Sequence, residues 1–347
     1  MPQYEVQQIL CADIRANKAV DDLLDREGIR RDKNLDYTCG LFDEDGMLAA
    51  TGSCCGNTLR CLAVRSDRQG EGLLNTILTH LVDIQYRRGN THLFLYTKCS
   101  TAKFFRDSGF YEIARVKDNV VFMENTRNGF PEFIRSLGSP SSYPDTAAIV
   151  MNANPFTYGH LFLAETAAAQ NSTVHIFVVS EDRSLFPADV RRRLVVEGTA
   201  HLKNVIVHDT GSYIISSATF PSYFQKDENA VIEGHARLDA AVFIKIAAAL
   251  GITRRYVGEE PFSLVTGIYN RVLQEELPAA GIRCTVIPRK SVHSRPVSAS
   301  DVRLCIQSGD MAHLAELVPP STLQYLQSKE AESVILRIRS SENVVHY

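Results

Sequence analysis

No run in this 347-residue chain approaches the roughly 18 apolar residues that a membrane-spanning helix needs. The opening residues Met1-Pro-Gln-Tyr-Glu-Val6 lack a basic stretch followed by an apolar one. No secretory leader is therefore expected, and the expected location is the cytoplasm. Neither charge sign dominates: 37 Lys and Arg against 40 Asp and Glu give a net charge of −3, which favours neither nucleic acid nor an anionic membrane. Cysteine occurs eight times, at positions 11, 39, 54, 55, 61, 99, 284 and 305, but never as Cys-x-x-Cys. The adjacent Cys54 and Cys55 make a poor zinc pattern, and a chain long enough to build its own core needs no disulfide scaffold. Reduced, mostly buried thiols are expected. There is no internal repeat and no low-complexity block.

What is present reads as a globular protein, 45% hydrophobic and 22% charged. Its length suggests two domains. Two Pro, three Ser and one Gly in Gly138-Ser-Pro-Ser-Ser-Tyr-Pro-Asp145 mark a seam. The expected organisation is a domain over 1–137, a linker over 138–145 and a domain over 146–347. The first part reads as a mixed α/β unit. Strands are expected at 37–42, 47–54, 58–64 and 92–96, with helices at 73–85 and 101–107. Asp43-Glu-Asp-Gly46 favours a hairpin turn. The second part alternates strand and helix: strands near 147–152, 174–180, 205–207, 255–258 and 283–287, with helices between them and residues 211–235 as an insertion. That alternation predicts a doubly wound parallel sheet covered on both faces, with ligands beyond the C-terminal strand ends.

One segment stands out. Ala147-Ala-Ile-Val-Met-Asn152 is a buried strand, and Leu161-Phe-Leu-Ala-Glu-Thr-Ala-Ala-Ala169 is a helix. Between them runs Ala153-Asn-Pro-Phe-Thr-Tyr-Gly-His160. A strand, a tight turn and a helix N-terminus hold phosphate, because first-turn N–H groups point outward and the helix dipole adds positive charge. His160 could donate to a phosphate oxygen. Alternatively, Thr157 is a plain N-cap and His160 an ordinary first-turn residue. Further on, Pro296-Val-Ser-Ala-Ser-Asp-Val-Arg303 starts another helix after the fifth strand. Ser298 and Ser300 can cap it and donate to phosphate, and Arg303 lies one turn in, where its fork can reach β- or γ-phosphate oxygens.

The order Thr157-Tyr-Gly-His160 resembles the His-x-Gly-His signature of the nucleotidylyltransferase superfamily, with Thr157 in place of the first His. Val297–Arg303 resembles that superfamily's Ile-Ser-Ser-Thr-x-Ile-Arg element. Four further segments resemble the citrate lyase ligase family: Asn154-Pro-Phe-Thr157, Ser184–Arg191, Gly211–Phe224 and Val257–Ser263. This resemblance covers nearly the whole chain. It implies an enzyme that adenylates acetate with ATP and acetylates a thiol on the phosphoribosyl-dephospho-coenzyme A group of the citrate lyase acyl-carrier subunit. His160, Thr157 and Arg303 would then be catalytic. Asn152, Asn154, Phe156, Gly159, Gly258, Ser298 and Ser300 would bind the nucleotide, and Mg²⁺ would ride on ATP oxygens rather than on a protein metal site.

In the first part, Val64–Leu74 resembles the pyrophosphate loop of GNAT acetyltransferases. Gly70 and Gly72 match as binding residues, but Asp67 occupies a position usually held by Arg or Gln. Phe105 stands where that family often has a proton-donating Tyr, which puts acetyl transfer by this domain in doubt. Its loop could still grip a group with a coenzyme A skeleton. Other readings remain open: a simple adenylyltransferase making a dinucleotide, an acetyltransferase driven by acetyl-coenzyme A, or a nucleotide-binding protein without turnover. His175, His201, His208 and His293 read as core-edge or surface residues. Arg191–Arg193 reads as a solvated face, with Arg191 also on a family motif position. Glu259-Glu260 reads as loop polarity, Lys226 as a solvated lysine in a loop that could wall the acetate pocket, and 340–347 as a frayed tail.

Overall fold

The computed structural model describes residues 4–32, 34–180, 184–214, 228–259, 264–292, 295–342 and 344. No helix among them is long and apolar enough to cross a membrane. The chain forms two compact units. One runs to Pro131 and takes in the stretch that ends at Ala241, and the other begins at Glu132 and resumes at Val242. The division thus falls ahead of the Pro/Ser-rich seam at 138–145.

The first unit carries β1 (Glu5–Gln8), α1 (Ile14–Arg26), β2 (Tyr37–Phe42), β3 (Leu48–Cys55), β4 (Thr58–Val64), α2 (Leu73–Arg87), β5 (Phe94–Lys98), α3 (Ala102–Asp107), β6 (Tyr111–Arg115) and β7 (Val120–Glu124); α4 (Gly129–Ser136) follows. The strands form one sheet in the order β1-β2-β3-β4-β5-β7-β6. Every pairing is antiparallel except β4 with β5, which run parallel and pair only at Thr58–Phe94 and Leu59–Leu95. The expected Asp-Gly hairpin joins β2 to β3, with Gly46 left-handed at φ 71°. Helix α2 buries Leu73, Ile77, Leu78 and Leu81. It sits close because residue 52 is glycine: a methyl there would lie 2.5 Å from Ile77 Cγ2. Helix α1 buries Val20, Leu23 and Leu24 in a second cluster with Ile9, Leu48, Cys61 and Ala63. This is a mixed sheet with a strand–loop–helix step between β4 and α2.

The second unit carries β8 (Thr146–Met151), α5 (Tyr158–Gln170), β9 (Thr173–Val178), α6 (Ala188–Gly198), β10 (Val205–Asp209), the end of α7 (Glu228–Leu250), β11 (Arg254–Gly258), α8 (Leu264–Ala279), β12 (Arg283–Ile287), the short hairpin β13 (Ser291–Val292) and β14 (Arg295–Pro296), then α9 (Ala299–Ser308), α10 (Met311–Leu317), α11 (Pro320–Gln327) and α12 (Glu332–Ser340). Five parallel strands lie in the order β10-β9-β8-β11-β12. Ala147, Ile149, Val174 and Ile176 are fully enclosed, as in a sheet covered on both faces. The chain starts at β8 in the middle, builds to one edge, and returns at β11 to build the other. The switch point therefore lies between β8 and β11, where the loop after β8 opens into α5. Residues 228–235, expected as part of an insertion, are helical and begin α7.

Candidate active site

The loop from Asn152 to Thr157 is held from two sides by buried arginines. Ala153 takes a left-handed conformation at φ 50°, which costs a residue with a Cβ some backbone energy and needs support. Arg191, in the first turns of α6, supplies part of it. Its Nη1 donates to the Asn152 carbonyl and to Asn152 Oδ1, each at 2.8 Å, and to the Val179 carbonyl at 2.6 Å. Its Nε donates to the Phe186 carbonyl at 3.0 Å. The expected solvated face is thus wrong for Arg191, whose side chain is fully enclosed. Arg303, in α9, supports the loop from the other side. Its Nη1 donates to the Asn154 carbonyl. Its Nε donates to the Val344 carbonyl at 2.6 Å, and its Nη2 to Ser300 Oγ at 3.1 Å. Asn154 Oδ1 accepts from the Phe186 N–H at 3.1 Å, while its buried Nδ2 has no hydrogen-bond partner.

Helix α5 then begins with a reciprocal cap. Thr157 Oγ1 accepts from the His160 N–H, and the Thr157 N–H donates to His160 Nδ1 at 3.1 Å. The Thr157 hydroxyl also lies 2.9 Å from Nδ1. Because Nδ1 accepts, the ring proton resides on Nε2. Burial, and secondarily the charge of Arg289, push the imidazole pKa down to about 4, so the ring is neutral at neutral pH. The result is a fixed neutral donor one turn into a helix whose N-terminus is positive.

The two motifs meet at Gly159. A methyl added there would lie 3.2 Å from the Val297 carbonyl oxygen, tighter than most real contacts. Glycine thus lets the first turn of α5 lie against the segment leading into α9. Ser298 caps α9: its Oγ accepts from the Asp301 N–H at 3.1 Å and donates to Asp301 Oδ2 at 2.7 Å.

Several expected roles change with this geometry. The Arg303 guanidinium, expected to reach β- or γ-phosphate, is 2% exposed and hydrogen-bonded to protein acceptors, and burial lowers its pKa to about 10. It ties the loop through the Asn154 carbonyl. Thr157 is 1% exposed, with its N–H and hydroxyl both on His160 Nδ1. Phe156 is fully buried, with its ring stacked 5.9 Å from that of His160 and its carbonyl accepting from Thr322, so it supports the histidine from below. Ser298 is engaged by Asp301, and Ser300 by Arg303. Gly258 ends β11, with open space where a side chain would be and its carbonyl bound by Asn270 Nδ2 at 2.9 Å. Asn152 links the loop to Ser184 at 3.1 Å. The expected acetate wall around Lys226, and also Glu260 and His293, lie outside the described residues. Sequence reasoning passed over Arg289 and Lys290, which follow β12, and nothing but their charge marks them.

Elsewhere the picture is structural. His175 and His208 stack at 5.1 Å on adjacent strands with Nδ1 2.8 Å from Nε2, and burial lowers both to about 4. All eight cysteines are free; burial raises the Cys39, Cys54 and Cys61 thiols to about 12, which keeps them inert. Phe105 packs edge-on against Phe104 and Phe110 in the core of the first unit. Gly70 and Gly72 in that unit are left-handed, at φ 91° and 79°, with open space around them. Among the described residues no group of three or more His, Cys, Asp or Glu could hold a metal ion.

A parallel sheet with its switch point beside a histidine-bearing helix N-terminus, packed through a glycine against a serine-capped second helix, defines a nucleotidylyltransferase-type α/β domain. The family described as citrate lyase ligase C-terminal domain matches residues 146–326. Over 308 residues the chain is 39% identical to the [citrate [pro-3S]-lyase] ligase of Escherichia coli, covering 86% of this chain and 87% of that one. The protein of the same name from Klebsiella pneumoniae is 40% identical over 294 residues, covering 82% and 85%. Among solved structures, Thermotoga maritima TmcAL bound with alpha-thio ATP is similar at 14% identity and a TM-score of 0.37, covering 54% of this chain and 56% of that one. The chain belongs to the citrate lyase ligase family, and it is an enzyme of the ligase class.

Proposed function

We propose that the chain uses ATP to activate acetate and passes the acetyl group to the thiol of the phosphoribosyl-dephospho-coenzyme A group on the citrate lyase acyl-carrier subunit. An acetate oxygen attacks the α-phosphorus, pyrophosphate leaves, and acetyl-AMP remains. The carrier thiol then attacks the acetyl carbon and expels AMP. The first step needs no protein nucleophile, so the chain's task is positioning and charge stabilisation. Nε2–H of His160 donates to an α-phosphate oxygen as charge grows there. The first-turn N–H groups of α5 and the side chains of Asn152 and Asn154 hold the nucleotide, Asn154 through the Nδ2 that the fold leaves unpartnered. Thr157 and Arg303 act through what they hold. Mg²⁺ would be bound by phosphate oxygens and water. In the first unit, the open backbone around Gly70 and Gly72 would receive the pyrophosphate of the carrier's prosthetic group.

The observation that supports this reading most is the contact of Gly159 with Val297, which joins the two phosphate-directed motifs at the strand switch point. Acetate-dependent exchange of pyrophosphate into ATP tests it. His160→Ala should lose about 2–4 kcal/mol of transition-state stabilisation in that exchange. Unchanged exchange would remove His160 from the reaction. A panel of short acids identifies the acceptor, since a dinucleotide maker would ignore all of them. Titration of the full chain with dephospho-coenzyme A tests the glycine loop: Gly72→Ala should weaken binding, and equal binding would rule the loop out.

A further inference from the structure

With Arg303 committed to the loop carbonyls, the leaving pyrophosphate lacks the cation that the Val297–Arg303 motif was expected to provide. Building on the adenylylation reading, we propose that Lys290, with Arg289 beside it, grips the β- and γ-phosphates of ATP and the pyrophosphate they become.

Both residues follow β12, at the C-terminal end of the parallel sheet, where ligands of such sheets bind. Lys290 is half-buried, with Nζ 5.2 Å from the ring centre of Tyr158 and 6.0 Å from that of Phe162. Those rings belong to the first two turns of α5, so the ammonium lies at the positive end of that helix. Its backbone is pinned as well, because its carbonyl accepts from the Val297 N–H at 2.9 Å, at the root of the β13–β14 hairpin. Among the described residues no carboxylate forms an ion pair with Lys290. The carboxylate of Asp301 accepts from Ser298 Oγ.

Arg289 adds a second charge. Its Nε donates to the Glu259 carbonyl at 2.8 Å, and the Glu259 N–H donates to Ile287 at 2.8 Å, so the guanidinium is tethered across the ends of β11 and β12. Its charge also contributes to the low pKa of His160, which places it within electrostatic reach of the ring. Two cations and a helix N-terminus therefore lie toward one neutral histidine. The Lys290 ammonium, placed at the positive end of α5, is stabilised by a bound polyanion. An α-phosphate at His160 would set the β- and γ-phosphates toward these cations. No bond forms to either residue: they hold the charge that builds on the bridging oxygen as the bond from the α-phosphorus breaks and its electron pair leaves with pyrophosphate.

The test is calorimetric titration of the full chain with ATP, pyrophosphate and AMP, for wild type, Lys290→Met and Lys290→Arg. AMP lacks the β- and γ-phosphates and serves as the internal control. Lys290→Met should weaken ATP and pyrophosphate by about ten- to hundredfold and leave AMP within about twofold, and Lys290→Arg should recover most of the loss. Parallel loss of AMP binding would mean a structural lysine and would overturn the proposal, as would ATP binding equal to wild type. A wild-type chain that binds no ATP would instead overturn the adenylylation reading together with its extension.

Discussion

Between β4 and α2 the chain turns on Gly70 and Gly72, both left-handed, and α2 starts with no side-chain cap. Between β8 and α5 it turns on Ala153, Pro155 and Thr157, with a reciprocal cap and two buried arginines on its carbonyls. Both are strand–loop–helix steps that expose first-turn N–H groups, and both can face an anion. The first leaves the work to bare backbone, which glycine makes adaptable. The second adds a directed side chain, and a directed side chain must be held still. Most polar groups in the 152–160 loop are occupied by other parts of the protein. The difference teaches that a loop which only binds needs space, whereas a loop which aims a donor needs a scaffold.

The comparison can be broken in graded ways. The largest effect is expected from Arg303→Met, which strips donors from the Asn154 and Val344 carbonyls. Urea unfolding should show a loss of about 3–5 kcal/mol, and a loss under about 1 kcal/mol would mean the loop stands without its tie. Next comes pH. His160, His175 and His208 fall to about 4 in the folded chain from an ordinary 6.5. Between those limits the unfolded chain binds protons that the folded chain refuses, so stability should fall as pH drops from about 6.5 towards 4 and be level above it. Urea midpoints at pH 7 and pH 5 check the sign, and His208→Phe should flatten the slope. Equal wild-type midpoints would contradict the neutral histidines.

Gly159→Ala is finer. Helix propensity favours alanine there, yet the methyl would press on Val297. Exchange activity should drop about tenfold while stability moves by under about 1 kcal/mol. Full activity would show that the two motifs need not touch so closely. Gly72→Ala should have the smallest effect, about 1 kcal/mol of destabilisation from a left-handed alanine, read by thermal unfolding.

Much of this was legible in the sequence. All five strands of the parallel sheet were expected near their observed places, because each is a short apolar run between helical segments. Thr157 as an N-cap and Ser298 as another followed from residue type alone. The first unit was read less fully: β1, α1 and β7 were missed, although the Asp118-Asn119 turn, with Asp118 at φ 57°, marks the start of Val120–Glu124. Arg191 and Arg303 show the deeper limit. A sequence marks an arginine as a charge, and charge suggests solvent or phosphate. That each would be enclosed and spent on carbonyls depends on residues far along the chain, such as Val344, which no local pattern connects. Lys290 is the converse, a lysine with no motif around it that the folded sheet sets beside Tyr158.

The Thr157 N–H bond to His160 Nδ1 has a consequence for repeated turnover. An imidazole free to exchange its two tautomers would lose time, or its aim, whenever product left. In the proposed reaction the proton would stay on Nε2 through each round, so the donor would be reset without borrowing from solvent or buffer. In nitrogen-15 spectra His160 should therefore display a single, unaveraged pair of ring resonances across neutral pH, whatever the buffer concentration.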